Sequence, residues 1–270
     1  MAGRGVSADF VEALARGLDV ISAFSDIHPA MSLSEVATAT GLARPTARRL
    51  LLTLQELGFV RQDRSTFELT PKVLDLGYAY VSSLGLWQVA RPHLEDLVKL
   101  TGESSSMAQL NGSDIVYMAR VAVPKIIALR VEIGTRFPAV VTSQGKVLLA
   151  ALDEATLERT LATPSASRVV IAPRSIDDVK AELATVRAQG WALADEELAP
   201  GVRSIAAPVR DGSGEVRAAA NVTVHAAETS LEDLVAHHLP SLLTAAARIS
   251  ADWKRLQDRP LDSLGDDHAG

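Results

Sequence analysis

The sequence predicts an α+β protein of two domains joined by a helix, on three observations. Its 270 residues are about twice the most common domain length, which favours two domains. Hydrophobic residues make up 47% of the chain and aromatic residues only 4%, so the core is expected to consist of aliphatic side chains, as in helices packed on one another or on a sheet. Apolar residues recur at helical spacing up to Gly58 and alternate just after it.

The first two elements are predicted to be helices. The first, at 9–24, ends before His28-Pro29. Its apolar positions are Phe10, Leu14, Leu18, Ile21 and Phe24. A second, short helix begins at Ser32 or Ser34, either of which can cap a helix N-terminus, and Gly41 is suited to end it in a left-handed turn.

A third helix and a hairpin complete the first domain, which is predicted at 9–70. Pro45 fits the first helical position because its missing N–H costs nothing there, and Gly58 ends the helix. The predicted buried stripe consists of Ala47, Leu50, Leu51, Leu54 and Leu57. The alternation at 59–62 and 67–69, around a polar turn, predicts a two-stranded hairpin. Helix, short helix, helix and hairpin is the order of a winged helix-turn-helix domain.

The rest of the chain predicts a linker helix at 71–86, an α+β domain at 87–257 and a flexible tail at 258–270. Apolar spacing predicts helices at 87–100, 145–152, 176–190 and 231–256. Alternation predicts strands at 105–110, 115–121, 126–133, 205–210 and 216–224. The last two strands form a hairpin, so we expect an antiparallel sheet flanked by helices.

The charge of the chain is unevenly distributed. The net charge of −6 at pH 7 counts against nucleic-acid binding. Residues 41–64, however, hold five arginines against two carboxylates, a local charge of +3. Because the third helix of this fold enters the major groove, the predicted DNA contacts are Arg44, Thr46, Arg48 and Arg49, with Arg61 and Arg64 on the wing. The alternative is an ordinary solvated helix face and a charged hairpin tip.

Composition and targeting signals predict a cytoplasmic protein. The chain contains no cysteine, which excludes disulfides, thiolate metal sites and Cys nucleophiles and fits a reducing compartment. It has no apolar signal-peptide core and no apolar stretch of the ~20 residues that a membrane span needs.

Catalytic and metal-binding patterns are weak. The sequence lacks the G-x-S-x-G and H-E-x-x-H motifs, and QGKV at 144–147 departs from a phosphate loop at its first glycine and after its lysine. Asp195, Glu196 and Glu197 form either a metal site or, as we favour, an acidic loop. We therefore expect no enzyme activity, no cofactor and no metal site.

Small polar residues at two places predict a ligand pocket. Segment 142–146 places hydroxyls and backbone N–H groups at the start of an apolar helix, where an anion such as a carboxylate can bind; Thr142 or Ser143 could instead only cap the helix. Asn221 and Thr223 share one face of the last predicted strand and need partners, which a ligand, water or the backbone can supply.

Four stretches of the chain carry a family resemblance. They are LSEVA at 33–37 with Gly41-Leu42, RRLLLTL at 48–54 with LGFV at 57–60, SQGKVLLA at 143–150, and GWA at 190–192 with DEEL at 195–198 and GVRSIAAPV at 201–209. Through them the chain resembles the IclR family of bacterial transcription regulators over nearly its whole length. Segments 9–18 and 76–84 are more similar to the PcaR/PcaU/PobR subgroup, which regulates aromatic-acid catabolism through the β-ketoadipate route.

The resemblance implies a winged helix-turn-helix, a linker helix and a C-terminal effector domain of GAF-like fold, assembled as dimers or tetramers. It also implies ligand contacts from Ser143, Gln144, Ser204, Asn221 and Thr223; the zinc bound by some relatives is not carried over. We therefore expect a ligand-responsive regulator of aromatic or organic-acid catabolism genes, bound to double-stranded operator DNA with an inverted repeat and controlled by a small organic acid. The alternative is a small-molecule-binding or hydrolytic α+β protein without DNA binding.

Overall fold

The structure is a computed structural model that describes residues 9–25, 27–76, 85–124 and 131–258. Its contacts divide the chain into two compact units, Met1–Ser83 and Leu84–Gly270. Half of the predicted linker helix at 71–86, residues 77–84, lies outside the described residues, although 73–76 are helical, and so does nearly all of the predicted tail at 258–270. The finer domain boundaries stay predictions. Among the described residues, no helix is both long and apolar enough to span a membrane.

The first unit is a winged helix-turn-helix, as predicted. Its elements are helices α1 (Glu12–Ala23), α2 (Leu33–Thr40) and α3 (Arg44–Glu56), and strands β1 (Ala30–Ser32), β2 (Val60–Asp63) and β3 (Thr66–Leu69). The strands form an antiparallel sheet in the order β1-β3-β2, so the predicted hairpin has a third strand. Ser32, rather than Ser34, caps α2, because its side chain accepts from the Glu35 N–H while the Glu35 carboxylate accepts from the Ser32 N–H.

The core of this unit confirms part of the predicted burial and corrects the rest. Ala47, Leu51 and Leu54 of α3 are buried as expected. Leu57 is not, because α3 ends at Glu56 and Leu57 lies at its cap, where the chain turns toward β2. α1 begins at Glu12 rather than at residue 9, so Phe10 precedes it; Phe10, Leu14 and Leu18 are exposed, whereas Val20 and the C-cap residue Phe24 are buried.

The second unit is a six-stranded antiparallel sheet between two layers of helices. Its strands are β4 (Ser104–Asn111), β5 (Asp114–Val121), β6 (Arg136–Pro138), β7 (Ala192–Asp195), β8 (Val202–Arg210) and β9 (Val216–His225), in the order β6-β5-β4-β9-β8-β7. Its helices are α4 (Leu86–Thr101), α5 (Ser143–Ala150), α6 (Glu154–Ala162), α7 (Ile176–Gln189) and α8 (Leu239–Gln257), with a helical lead-in to α8 from Leu231. The antiparallel sheet flanked by helices is thereby confirmed.

Two apolar clusters lie on opposite faces of this sheet. One contains residues of α4 and α8, such as Leu94 and Ile249. The other contains residues of α5 and α7, such as Leu149 and Leu183. The predicted strand at 126–133 falls largely outside the described residues, and 131–133 are not in a strand. β6, β7 and α6 were not predicted, since three or four strand residues and a weakly apolar helix give little periodic signal.

Candidate functional site

A cavity between the sheet and the first turn of α5 brings together all five residues predicted to bind a ligand. Ser143, Gln144, Ser204, Asn221 and Thr223 all line it. It encloses about 30 Å³. Since an engineered apolar cavity that admits benzene has roughly 150 Å³, an aromatic ring enters this cavity only if part of its wall moves.

A polar row crosses the sheet along one side of the cavity. Ser106 on β4 lies opposite Arg120 on β5 and opposite Asn221 on β9. The Ser106 N–H donates to Asn221 Oδ1 at 3.0 Å, and Arg120 Nη1 donates to Ser106 Oγ at 3.0 Å. Asn221 Nδ2 in turn donates to Thr223 Oγ1 at 3.0 Å. Asn221 thus bonds to the backbone of β4 and to Thr223, and both residues still line the cavity.

Arg120 is the charged residue of the cavity lining, and sequence reasoning did not predict it. Tyr117 pairs with Ala108, and Ala119 pairs with the preceding residue Met107, so Met118 is an extra residue in β5. Strict alternation would place Arg120 on the face opposite Tyr117. The bulge instead returns Arg120 to the cavity side, where both residues line the wall, while Ala119 packs in the other cluster.

Burial shapes the electrostatics of the cavity. Desolvation lowers the pKa of the Arg120 guanidinium, an effect that the nearby Tyr117 phenol opposes, and the group remains a cation at neutral pH. Among the described residues no carboxylate lies within ion-pair distance of it. Desolvation raises the pKa of the Tyr117 phenol to about 12, and its ring meets Phe137 edge to face at 5.8 Å.

The first turn of α5 supplies a fixed acceptor. Gln144 is almost fully buried, and its Nε2 donates to Ser106 O at 3.1 Å and to Ala219 O at 3.0 Å. These two carbonyls fix the amide orientation, because a flipped amide would turn its oxygen against two acceptors. Gln144 Oε1 is consequently a buried acceptor that has no hydrogen-bond partner among the described residues.

The same turn shows which residue caps the helix. The Thr142 side chain accepts from the Gly145 N–H at 3.1 Å, so Thr142 is the N-cap. Ser143 is thereby released from capping, and its Oγ lies 2.8 Å from Ser204 Oγ on β8. Gly145 packs against the 3-10 turn Ala139–Val141 so closely that an added Cβ would lie 2.1 Å from the Ala139 carbonyl oxygen.

The acidic segment at 195–197 is bonded within the protein. Asp195 pairs with Arg203, and the Glu196 carboxylate accepts from the Gly201 N–H at 2.8 Å. Glu197 pairs with Lys146 at 2.5 Å and with Arg174 at 3.3 Å. Each carboxylate thus has a protein partner, as an acidic loop requires. The described residues contain no cluster of three or more potential His, Asp or Glu metal ligands.

Four of the predicted DNA contacts of the first unit lie on α3. Arg44, Arg48 and Arg49 are exposed, and Thr46 is half-buried. Arg44 and Arg48 are four residues apart and so share a helix face. Among the described residues no carboxylate forms an ion pair with any of these arginines. The N-terminal half of α3 therefore carries uncompensated positive charge.

The two wing arginines differ in their surroundings. Arg61 donates to Glu68 on the neighbouring strand, with Nη2 at 2.6 Å from Oε2. Arg64 lies in the turn between β2 and β3, is exposed and has a left-handed backbone (φ 52°). The Arg64 guanidinium thus forms no ion pair among the described residues, whereas the Arg61 guanidinium is paired with the Glu68 carboxylate.

Comparison with known proteins identifies relatives for both units. The model described as the IclR helix-turn-helix domain matches residues 13–64, and that described as the bacterial transcriptional regulator IclR C-terminal domain matches residues 78–251. The Pca regulon regulatory protein of Pseudomonas putida is 41% identical over 88% of this chain and 82% of its own.

Solved structures agree with these matches. A transcriptional-regulator structure from Rhodococcus sp. RHA1 is 47% identical, with a TM-score of 0.78 over 92% of this chain and 100% of that one. The inducer-binding domain of the Acinetobacter PobR transcription factor, a double mutant in complex with 3-hydroxybenzoic acid, is 28% identical, with a TM-score of 0.54 over 60% of this chain and 96% of that one. The curated and structural relatives are thus described as regulators of transcription.

Proposed function

The chain belongs to the IclR family of bacterial transcriptional regulators, and we propose a separate binding function for each of its two units. The first unit binds operator DNA in the cytoplasm through α3 and the wing. The second unit binds a small hydroxy-substituted carboxylic acid in the cavity beside α5. The observation that carries the proposal is that a half-buried cation, Arg120, and a buried acceptor without a partner among the described residues, Gln144 Oε1, belong to the same cavity.

The DNA-binding role rests on the unpaired arginines of α3. In a winged helix-turn-helix the N-terminal half of this helix meets base edges in the major groove. Arg44, Arg48 and Arg49 lie in that half, off the buried residues Ala47 and Leu51. Arginine can pair with guanine through two hydrogen bonds or hold phosphate. On the wing we assign the phosphate contact to Arg64 first, because Arg61 is occupied by Glu68.

Removing two of these arginines tests the assignment. We expect the double variant Arg48→Ala, Arg49→Ala to lose specific operator binding at fixed salt, at about 1 to 3 kcal/mol for each contact. The matched control removes two exposed helical arginines of the other unit, Arg91→Ala and Arg255→Ala, and so makes the same change in net charge. Equal operator affinity in the two double variants would refute the assignment of α3 to the groove.

Binding as a dimer follows from the exposed stripe on α1. Leu14 and Leu18 lie one helical turn apart on α1 and Phe10 lies just before the helix; all three are 42 to 64% exposed, which is unusual for large apolar residues so close together. We infer that a second copy covers this stripe. A two-fold dimer would then read an inverted repeat whose half-sites lie about 34 Å apart, one DNA turn, or a multiple of it.

The carboxylate of the effector is assigned to Arg120. The Arg120 guanidinium is partly withdrawn from water and has no carboxylate partner among the described residues, so an anion beside it would compensate its charge. The helix N-terminus at Ser143 lies at the same cavity and adds the positive end of its dipole, worth about 0.3 to 1 kcal/mol. An organic acid therefore meets favourable charge from two directions.

The hydroxyl of the effector is assigned to Gln144. A buried acceptor without a donor costs about 1 to 3 kcal/mol, and a ligand hydroxyl would remove that cost. The complex of the Acinetobacter domain with 3-hydroxybenzoic acid shows that a relative accepts a molecule with both groups. The apolar and aromatic walls, including Phe137 and Leu198, would surround the ring.

Calorimetric titration separates the two assignments. We expect the native protein to bind 3- or 4-hydroxybenzoate more tightly than both benzoate and the methoxybenzoates, because a methoxy oxygen cannot donate to Gln144. Arg120→Met should lower the affinity for every acid by at least tenfold. Arg136→Met should not lower it, because Arg136 lies outside the cavity lining. Unchanged affinity in Arg120→Met, Ser143→Ala and Asn221→Ala for an acid that alters DNA binding would place the effector elsewhere.

The small size of the cavity offers a reason for ligand response. Since an aromatic acid does not fit into about 30 Å³, its binding must select or produce a conformation with a wider cavity. A ligand can alter DNA affinity only if it prefers one conformation over another, and the coupling must be reciprocal. Operator DNA should therefore change the affinity for the acid by the same factor that the acid changes the affinity for DNA.

A further inference from the structure

We propose that Lys146, Arg174, Glu182 and Glu197 form a clamp that positions one wall of the effector cavity, so that effector affinity depends on side chains that do not line it. The inference rests on the proposed function of that cavity. Among these four residues, which we call the ion clamp, none belongs to the cavity lining. The clamp therefore differs from the ligand contacts assigned above.

The ion clamp is a closed set of contacts between two cations and two carboxylates. Lys146 Nζ lies 2.5 Å from one oxygen of Glu182 and 2.5 Å from one oxygen of Glu197. Arg174 binds the second oxygen of each carboxylate, at 2.8 Å for Glu182 and 3.3 Å for Glu197. Each cation thus bridges both carboxylates, and the charges balance.

Burial makes the ion clamp more than a surface ion pair. The Lys146 side chain is only 1% exposed, and the other three are 27 to 30% exposed. A buried ion pair is a weak source of stability compared with apolar packing, because desolvation offsets its attraction. It does, however, fix the relative positions of the segments that carry it, and removing one member leaves a buried charge uncompensated.

Three segments bonded by the clamp lie next to wall residues of the cavity. Glu197 directly precedes Leu198, which lines the cavity. Arg174 also donates to the Val140 carbonyl at 2.9 Å, next to the lining residue Val141, and Lys146 donates to the Leu193 carbonyl at 3.0 Å, next to the lining residue Ala194. The clamp thereby holds three different parts of the wall to α5.

The loop that carries Leu198 needs such support. Glu196 has a left-handed backbone with φ 55°, which costs energy in a residue other than glycine. The loop is closed on itself by the Glu196 N–H to Val202 O bond at 2.9 Å and the Val202 N–H to Ala199 O bond at 3.2 Å. The bonds of Glu197 attach this strained loop to α5. A loop held in its bound position does not have to be ordered when the effector enters, which increases affinity.

A double-mutant cycle tests the clamp. We expect Glu197→Gln to lower the affinity for the tightest-binding hydroxybenzoate about five- to tenfold and Leu198→Ala to lower it by a similar factor. If Glu197 acts through Leu198, the double variant will bind the acid no more weakly than the weaker-binding single variant. Both changes then remove the same contribution to the binding free energy. Multiplicative losses, or native affinity in Glu197→Gln, would overturn the proposal.

The chain offers a matched control far from the cavity lining. Lys180 pairs with Glu154 at 2.5 Å and with Glu158 at 2.9 Å, which is again one lysine between two carboxylates. Glu154→Gln should leave effector affinity at the native value. Unfolding midpoints of all the variants show whether a loss of affinity merely reflects lost stability, and a Glu154→Gln variant as weak as Glu197→Gln would also overturn the proposal.

Amide hydrogen exchange keeps the clamp testable apart from the identity of the effector. If none of the benzoates binds the native protein, the proposed effector class fails, but the clamp still predicts faster exchange of the Glu196 and Val202 amides in Glu197→Gln than in the native protein. Glu154→Gln should leave their exchange unchanged. Equal exchange in all three proteins would refute the clamp.

Discussion

Replacing Gly145 with alanine tests how closely α5 packs on the turn before it. The added Cβ would lie 2.1 Å from the Ala139 carbonyl oxygen and 2.4 Å from the Ala139 Cα, whereas real Cβ atoms essentially never approach closer than 3.0 Å. The first turn of α5 must therefore move away by about 0.9 Å. Overpacking a core typically costs about 1 to 3 kcal/mol, and we expect the upper half of this range because the obstacle is backbone.

The same movement should reach the cavity. The hydrogen bond between Ser143 Oγ and Ser204 Oγ is 2.8 Å long, and a shift of about 0.9 Å directed along it would take it beyond hydrogen-bond distance. We expect Gly145→Ala to bind the effector acid more weakly than the native protein, even at temperatures where both are fully folded.

Urea denaturation followed by tryptophan fluorescence measures the loss of stability. All three tryptophans, Trp87, Trp191 and Trp253, belong to the second unit, so the signal reports on the unit that contains Gly145. The control is Gly17→Ala in α1, where nothing lies within 4 Å of the added Cβ. Because Gly17 lies in the first unit, that variant should leave the tryptophan transition at its native position, and circular dichroism should show a gain of about 0.5 to 1 kcal/mol in the stability of the first unit. A free energy of unfolding for Gly145→Ala within about 0.5 kcal/mol of the native value would refute the reasoning.

Three further predictions concern a titration, a helix cap and an interface. Desolvation raises the pKa of Tyr117 to about 12 against 10.0 for an exposed tyrosine, so its contribution to stability is full below pH 10 and is lost as the pH rises through 12. Ultraviolet titration should show one tyrosine that ionises late, absent in Tyr117→Phe; a late step that persists in Tyr117→Phe would contradict this. Ser32→Ala should cost about 0.5 to 2 kcal/mol by removing the N-cap of α2, and an unchanged thermal midpoint of the first unit would show that the cap is dispensable. Leu14→Glu with Leu18→Glu should shift sedimentation toward a smaller species, and an unchanged assembly would remove α1 from the interface.

Local sequence patterns were sufficient to predict those elements whose own residues carry a periodic or capping signal. The helical spacing of Ala47, Leu51 and Leu54 predicted α3 and its buried face, and the N-cap and glycine signals around Ser32 and Gly41 predicted the limits of α2. The family resemblance then selected five ligand residues that the fold brings to a single cavity. Ser143, Gln144 and Ser204 lie in stretches whose own sequence is distinctive, and Asn221 and Thr223 are polar residues on one face of a strand, flanked by apolar residues, so all five could be found without a structure.

Features that depend on distant contacts could not be predicted in this way. The apolar spacing of α1 gave a helix but not which of its apolar residues the chain itself would cover, and Leu14 and Leu18 lie outside the core. β1 is three residues long and owes its existence to pairing with β3, so it leaves no periodic pattern. The bonds of Lys146 to Glu182 and Glu197 join segments far apart in the sequence, and no local rule relates them.

The extra residue in β5 makes the length of that strand a determinant of chemistry. If Met118 took a regular place in the ladder, strict alternation would turn Arg120 toward the apolar layer of α4 and α8, whereas deleting Met118 would remove the bulge and leave Arg120 opposite Ser106. A relative without the extra residue would therefore need its arginine two positions after the residue that corresponds to Tyr117, instead of three, to place a guanidinium in the cavity. When related regulators are aligned, the placement of a gap at this point decides which side chain is assigned to the acid.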